Sequence, residues 1–172
     1  MRKSQSLKSI PAAGEGKRGQ QGYLGYLLRQ AAAAHRLRME RALADLGVTM
    51  PQFLVLTMLK AYPGASNADL ARLTQLTPQT LSVIVANLLK SGAVARQAHA
   101  EHGRIQMIRI TEAGLSSLEE CRRRVHPIEE ALQSGFSDDE QAIVRRWLVA
   151  AAIDPHIESE ASGAVAGTDP KK

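Results

Sequence analysis

From Gly22 to Leu46 the residues Leu24, Leu28, Ala31, His35, Met39, Ala42 and Leu46 recur at three- and four-residue steps. The spacing predicts one long amphipathic helix, closed by Gly47. Thr49 opens a second helix. Pro51 falls in its first turn, where a missing N–H costs nothing, and Gln52 stands three residues on as a capping-box partner. Phe53, Leu54, Leu56, Leu59 and Lys60 continue it as far as the breakers Pro63 and Gly64. Ser66 and Asp69 form the cap of a third helix, in which Leu70, Ala71 and Leu73 are expected to face inward. After the turn Thr74-Gln75-Leu76, Thr77 caps a fourth helix with Pro78 at its first position. Leu81, Ile84, Val85 and Leu88 make its buried stripe. Gln79, Ser82, Val83, Asn87 and Lys90 are left facing outward or toward the rim, and Gly92 ends the helix.

Past Gly92 the period changes from helical to alternating. Two short strands are expected over 93–97 and 105–110, joined by a polar tip, 99–104, that contains Gly103. In the second strand Ile105, Met107, Arg109 and then Thr111 alternate against Gln106, Ile108 and Ile110. Thr111 begins a fifth helix carrying Leu115, Leu118, Val125 and Ile128, to about Gln133, and Pro127 should kink or break it. Ser137 and Glu140 cap a sixth, through Ile143, Val144, Trp147, Leu148 and Ala151. The fold class is therefore mainly α, about six helices and a β-hairpin. The order from Ser66 to Thr111 is capped helix, turn, second helix, hairpin. That is a winged helix-turn-helix, whose dominant use is to place a helix in a DNA groove.

Composition narrows this. The 172 residues are 44% hydrophobic but only 3% aromatic, so the core has to be aliphatic. The net charge of +5 suits a polyanionic partner without demanding one. The single cysteine, Cys121, excludes an intramolecular disulfide and points to a reducing compartment. No apolar run approaches the roughly 20 residues of a membrane span, and the N-terminal stretch lacks a signal-like apolar segment. A cytoplasmic protein with no membrane partner is the expectation. Residues 1–20, with Arg2, Lys3, Lys8, Lys17 and Arg18 against Glu15, read as a mobile basic arm. Residues 154–172 read as a disordered tail, with a single domain, 21–153, between them. No phosphate loop, nucleophile elbow or paired zinc-ligand signature occurs, so neither an enzyme nor a cofactor is expected. His99 and His102 are only two ligands on a hairpin tip, too few for a metal site.

The ordered pieces VTMPQF, ADLARLTQLTPQTLSVIVANLLKSGAV and HGRIQMIRITEAG resemble the MarR-type (multiple-antibiotic-resistance regulator) winged-helix repressors over roughly Tyr23 to Ala152. Within that family GYLLRQAAAAHR with VTMPQFLVLTML is similar to regulators of aromatic-acid catabolism, nicotinate breakdown included. The resemblance implies a winged lobe over about 48–110 and dimerisation helices over about 22–46 and 112–153. It also implies a homodimer on a double-stranded DNA operator, and a small-ligand pocket between the dimerisation helices and the lobe. The chain departs from the family at the wing, where Asp-x-Arg is usual. Here His102, Gly103 and Arg104 stand, so the acidic brace of the arginine is missing. Val83 replaces an arginine common near the middle of the recognition helix.

Each candidate side chain has a chemical reason. Gln79, Thr80 and Ser82 lie near the N-terminal end of the recognition helix, where short polar groups reach base edges, and Val83 can meet a thymine methyl. Arg104 at the wing tip suits a narrow minor groove. Lys90, Arg96 and Arg72 are candidate phosphate contacts. His35, on the apolar stripe of the first helix, with Gln30, Met50 and Phe53, is the candidate site for a small aromatic carboxylate or hydroxy-acid effector. Two other functions compete with a ligand-released repressor. One is a redox-responsive regulator acting through Cys121, whose neighbours Arg122, Arg123 and Arg124 would favour the thiolate. The other is a winged helix used for protein interaction.

Overall fold

The computed structural model describes residues 10–98 and 106–153. Six helices and one antiparallel hairpin form in the expected order: α1 (Leu24–Leu43), α2 (Met50–Ala61), α3 (Asn67–Thr74), α4 (Pro78–Lys90), β1 (Val94–Ala98), β2 (Gln106–Ile110), α5 (Glu112–Gln133) and α6 (Asp138–Ala152). A 3-10 turn, Ala44–Leu46, extends α1 to Gly47, whose φ of 67° takes the left-handed conformation that ends the run. The wing strands pair from Val94 opposite Ile110 to Ala98 opposite Gln106. Part of the stretch expected to be a mobile arm is described, and it holds a 3-10 turn, Gly16–Arg18, closed by backbone bonds such as Gly14 N–H to the Arg18 carbonyl.

The caps explain why the helices start where they do. Thr49 and Gln52, Ser66 and Asp69, and Ser137 and Glu140 each form a reciprocal capping box. Thr77 Oγ1 accepts the Thr80 N–H at 3.1 Å, with Pro78 at the first helical position. The turn between α3 and α4 is made by Gln75 in the left-handed region, φ 53°.

The chain divides into two compact units, 1–128 and 129–172. In the first, a lobe core gathers Val55, Leu56 and Leu59 of α2, Leu70 and Ala71 of α3, Leu81, Ile84, Val85 and Leu88 of α4, and Val94 and Ile108 of the wing. Leu118 of α5 completes it, fully buried. A second cluster joins Met39 and Leu43 of α1 to Cys121 and Val125 of α5, and Phe53 packs against both. In the second unit α6 buries no residue: Ile143, Val144, Trp147, Leu148 and Val149 are all exposed.

Three expectations change. Leu73 does not face inward: it is 39% exposed, and Thr74 takes the buried position, its hydroxyl donating to the Leu70 carbonyl at 2.6 Å. Leu70, Ala71 and Thr74 define the inner face of α3, which rotates Leu73 to the rim. Pro127 does not break α5, which runs on to Gln133. The proline is exposed, so water can serve the carbonyl one turn back that loses its donor. Of the expected apolar stripe of α1 only Met39 is buried, joined by Leu43 from outside it, and Leu24 is 65% exposed. Among the described residues no single helix is long and apolar enough to cross a membrane.

Candidate nucleic-acid interface

The recognition helix α4 presents two faces. Leu81, Ile84, Val85 and Leu88 fix it to the lobe core. Gln79, Thr80, Ser82, Val83, Asn87 and Lys90 are exposed on the other side, Val83 at 62%. An exposed valine among polar groups is of a kind to meet a thymine methyl in a groove. Thr80 Oγ1 lies 2.9 Å from Thr77 Oγ1, so its hydroxyl is engaged in the cap. Ser82 Oγ donates to the Pro78 carbonyl at 2.8 Å, which uses its hydrogen and leaves its lone pairs to accept. Gln79 is exposed, and its side-chain amide offers both a donor and an acceptor.

The basic candidates divide. Arg72, on α3, is held by Asp69 at 2.5 Å, so a phosphate would have to compete with that carboxylate. Asp69 is lowered to about 2 by the Ser66 hydroxyl first, then by Arg72 and the Ser66 N–H. Arg96 is exposed on β1 and has no ion-pair partner among the described residues. Arg109, which sequence reasoning left without a role, is exposed on β2 opposite Ala95 and lines a shallow cleft with Arg96 and Gln97. The signal for it was the alternation against the buried Ile108. Arg104, His99, His102 and Gly103 lie outside the described residues.

The candidate effector residues sit on α1 and α2. Gln30, His35, Met50 and Phe53 are all half-buried. A cleft of about 420 Å³ opens where α1 ends and α2 begins, lined by Glu40, Leu43, Val48, Thr49, Met50 and Pro51 among others. Of the four candidates, Met50 lines it. Gln52 is the capping-box partner of Thr49, accepting its N–H at 2.8 Å.

The structure removes the basis of the thiol reading. Cys121 is fully buried between Met39, Leu43 and Val125. Burial, reinforced by the charge of Glu120, pushes its thiol up, away from the reactive thiolate. The neighbouring arginines are spent on carboxylates: Arg122 on Glu119, Arg123 on Glu120, and Arg124 on Asp45 at 3.0 Å.

An apolar lobe that holds a polar helix outward beside a β-hairpin defines a winged helix-turn-helix DNA-binding protein. Residues 46–105 match the MarR family model. The chain is 34% identical over 125 residues to the HTH-type transcriptional repressor Rv2887 of Mycobacterium tuberculosis, covering 73% of this chain and 90% of that protein. The HTH-type transcriptional repressor IacR of Pseudomonas putida is 27% identical over 70% of this chain and 71% of its own. Among solved structures, Rv2887 in complex with DNA superposes with a TM-score of 0.62 at 30% identity, over 77% of this chain and 99% of that one. The chain belongs to the MarR family, and it is a DNA-binding transcriptional regulator of that family.

Proposed function

We propose that this chain is a homodimeric repressor that binds a pseudo-palindromic operator and is released from it by a small aromatic carboxylate or hydroxy-acid. The observation that carries the dimer is the apolar surface one chain leaves open. Tyr23, Leu24, Leu132, Phe136, Ile143, Val144 and Leu148 are each more than 40% exposed, and α6 has no buried residue. Large side chains left bare in such numbers are what an obligate subunit contact covers. Two symmetric lobes then read half-sites about one helical turn apart, or a multiple of it. On each lobe Gln79, Ser82 and Val83 are the base-reading residues. Thr80 orders the helix start, Arg104 enters the minor groove, and Lys90, Arg96 and Arg72 hold the backbone.

The effector class is supported by Rv2887, which has been solved with salicylic acid and with p-aminosalicylic acid at 32% and 30% identity to this chain. The half-buried His35, Gln30, Met50 and Phe53 supply an aromatic wall, a thioether and polar groups for a ligand of that kind. In this reading the protein binds and releases and performs no catalytic step, and it works in the cytoplasm.

Selection of duplexes from a random library, followed by sedimentation of the complex, tests the proposal. The expected result is an inverted repeat bound by two chains, with affinity falling steeply as salt is raised. A stable monomer at micromolar concentration, or a bound sequence without internal symmetry, overturns the dimer reading. Binding insensitive to salt favours the protein-interaction use of the winged helix instead.

A further inference from the structure

The chain passes from the wing into α5 at Thr111, and one hydroxyl there joins the α4–β1 junction to the first turn of α5. Thr111 Oγ1 donates to the Gly92 carbonyl at 2.7 Å and lies 3.1 Å from the Ala93 carbonyl. It accepts the Gly114 N–H at 3.1 Å, which caps the first turn of α5. The Thr111 N–H also donates to the Ala93 carbonyl, at 3.1 Å. Gly92 and Ala93 are themselves tied to the end of the recognition helix, their N–H groups donating to Leu89 and Leu88 at 3.1 and 3.0 Å. Gly114 permits this closeness, because a Cβ on it would be driven into the Ala93 carbonyl. One turn further along, Leu118 inserts into the lobe core with no exposed surface.

We propose that Thr111 is a positioning residue for operator binding, registering the recognition helix against α5 and so fixing the distance between the two half-sites that a dimer accepts. The inference rests on the two-half-site reading above. Thr111 touches no base in this role. It acts through the Gly92–Ala93 backbone, which ends α4 and starts the wing. A lobe held at both Thr111 and Leu118 has one orientation on α5. Without the hydroxyl, the Thr111 N–H, Gly114 and Leu118 still tether the lobe, but the tie through the Gly92 carbonyl is lost, and a pair of lobes that tilts more freely tolerates operators of the wrong spacing.

The test uses an operator selected by the full-length protein, a series in which its half-site spacing is changed by one or two base pairs, and an isolated half-site. One inserted base pair rotates the half-sites by about a tenth of a helical turn, and the unaltered protein should lose affinity more than about tenfold for it. Thr111→Val keeps the side-chain shape and removes the hydroxyl. It should bind the half-site as before, while the penalty for altered spacing shrinks to within about threefold. Thr111→Ser, which restores the hydroxyl, should regain the full penalty. If Thr111→Val does not fold, Thr111→Ala carries the same measurement. A lower melting temperature with an unchanged spacing profile overturns the inference and leaves Thr111 a stabilising cap only. An unaltered protein indifferent to spacing overturns the two-half-site reading itself, and this inference with it.

Discussion

Gly114, in the first turn of α5, lies directly against the Ala93 carbonyl that begins the wing, with no room for a side chain between them. Helix propensity alone would favour alanine at this position by about 1 kcal/mol. The close approach reverses the sign. Gly114→Ala must push two backbone segments apart, and overpacking of that kind costs typically 1–3 kcal/mol or more. We expect it to lower the melting temperature by several degrees, at roughly 2–4 °C per kcal/mol for a domain of this size. The ion pair Lys60–Glu119 at 2.6 Å is a useful contrast. It joins α2 to α5, yet both side chains are well exposed, so Lys60→Met should shift the melting temperature far less than Gly114→Ala does. Thermal melts of the two variants rank these contacts. A larger loss from the lysine substitution would show that the backbone contact is not limiting.

What could be read in advance follows from distance along the chain. The boxes Thr49–Gln52, Ser66–Asp69 and Ser137–Glu140 were legible because both partners lie within one turn. The stripe Leu81, Ile84, Val85 and Leu88 was legible because only one face of α4 is apolar. The need for glycine at 114 was not, because it is imposed by Ala93, on another element. Nor was the pairing of Arg124 with Asp45, 79 residues apart. Without that pairing the three arginines beside Cys121 looked like thiolate stabilisers. Leu73 was misplaced because periodicity gives the spacing of a face but not its centre, which the buried Thr74 sets.

The cap of α3 makes stability depend on pH in acid. The folded value of Asp69, about 2, lies below the usual carboxylate value near 3.9. A depressed carboxylate contributes stability above its unfolded value and loses it as pH falls through the folded one. The contribution of Asp69 should therefore be whole above about pH 5, fall away as pH drops through about 2, and be gone near pH 1. Asp69→Asn should destabilise the protein at pH 7, with the difference from the unaltered chain closing across that window. A difference that is constant with pH would assign the effect to shape rather than charge.

Cys121 should behave as a core side chain. A thiol reagent should label it only at the rate of unfolding, and peroxide should leave operator binding unchanged. Fast labelling of the native protein, or peroxide release of DNA, would restore the redox reading.

On the DNA side, Arg104→Ala and Gln79→Ala should differ in kind. Loss of the wing arginine should weaken binding by roughly 1–3 kcal/mol with the fold intact. Gln79 stands on the exposed face of α4, so its removal should relax sequence preference at one position of each half-site. Binding isotherms on a panel of single-base variants separate the two. If neither variant changes affinity or preference, the reading surface lies elsewhere on the lobe.

The release step requires a ligand that distinguishes two arrangements of the lobes, since a ligand with equal affinity for both shifts nothing. Phe53 packs against both the lobe core and the α1–α5 cluster. A molecule inserted beside it therefore meets both at once and can bias how one sits on the other. His35 and Gln30 lie on α1, half-buried, and Met50 begins α2. An aromatic carboxylate stacked on Phe53 and bonded to His35 should lower operator affinity by a coupling of about 1–3 kcal/mol. His35→Ala should lose that response and keep operator affinity in the absence of ligand within a few-fold. Titrating salicylate into the protein–operator complex, followed by fluorescence anisotropy, reads both quantities. A normal response in the variant places the site away from His35. If no aromatic acid releases the unaltered protein, the effector class is wrong, and the DNA-binding function stands without it.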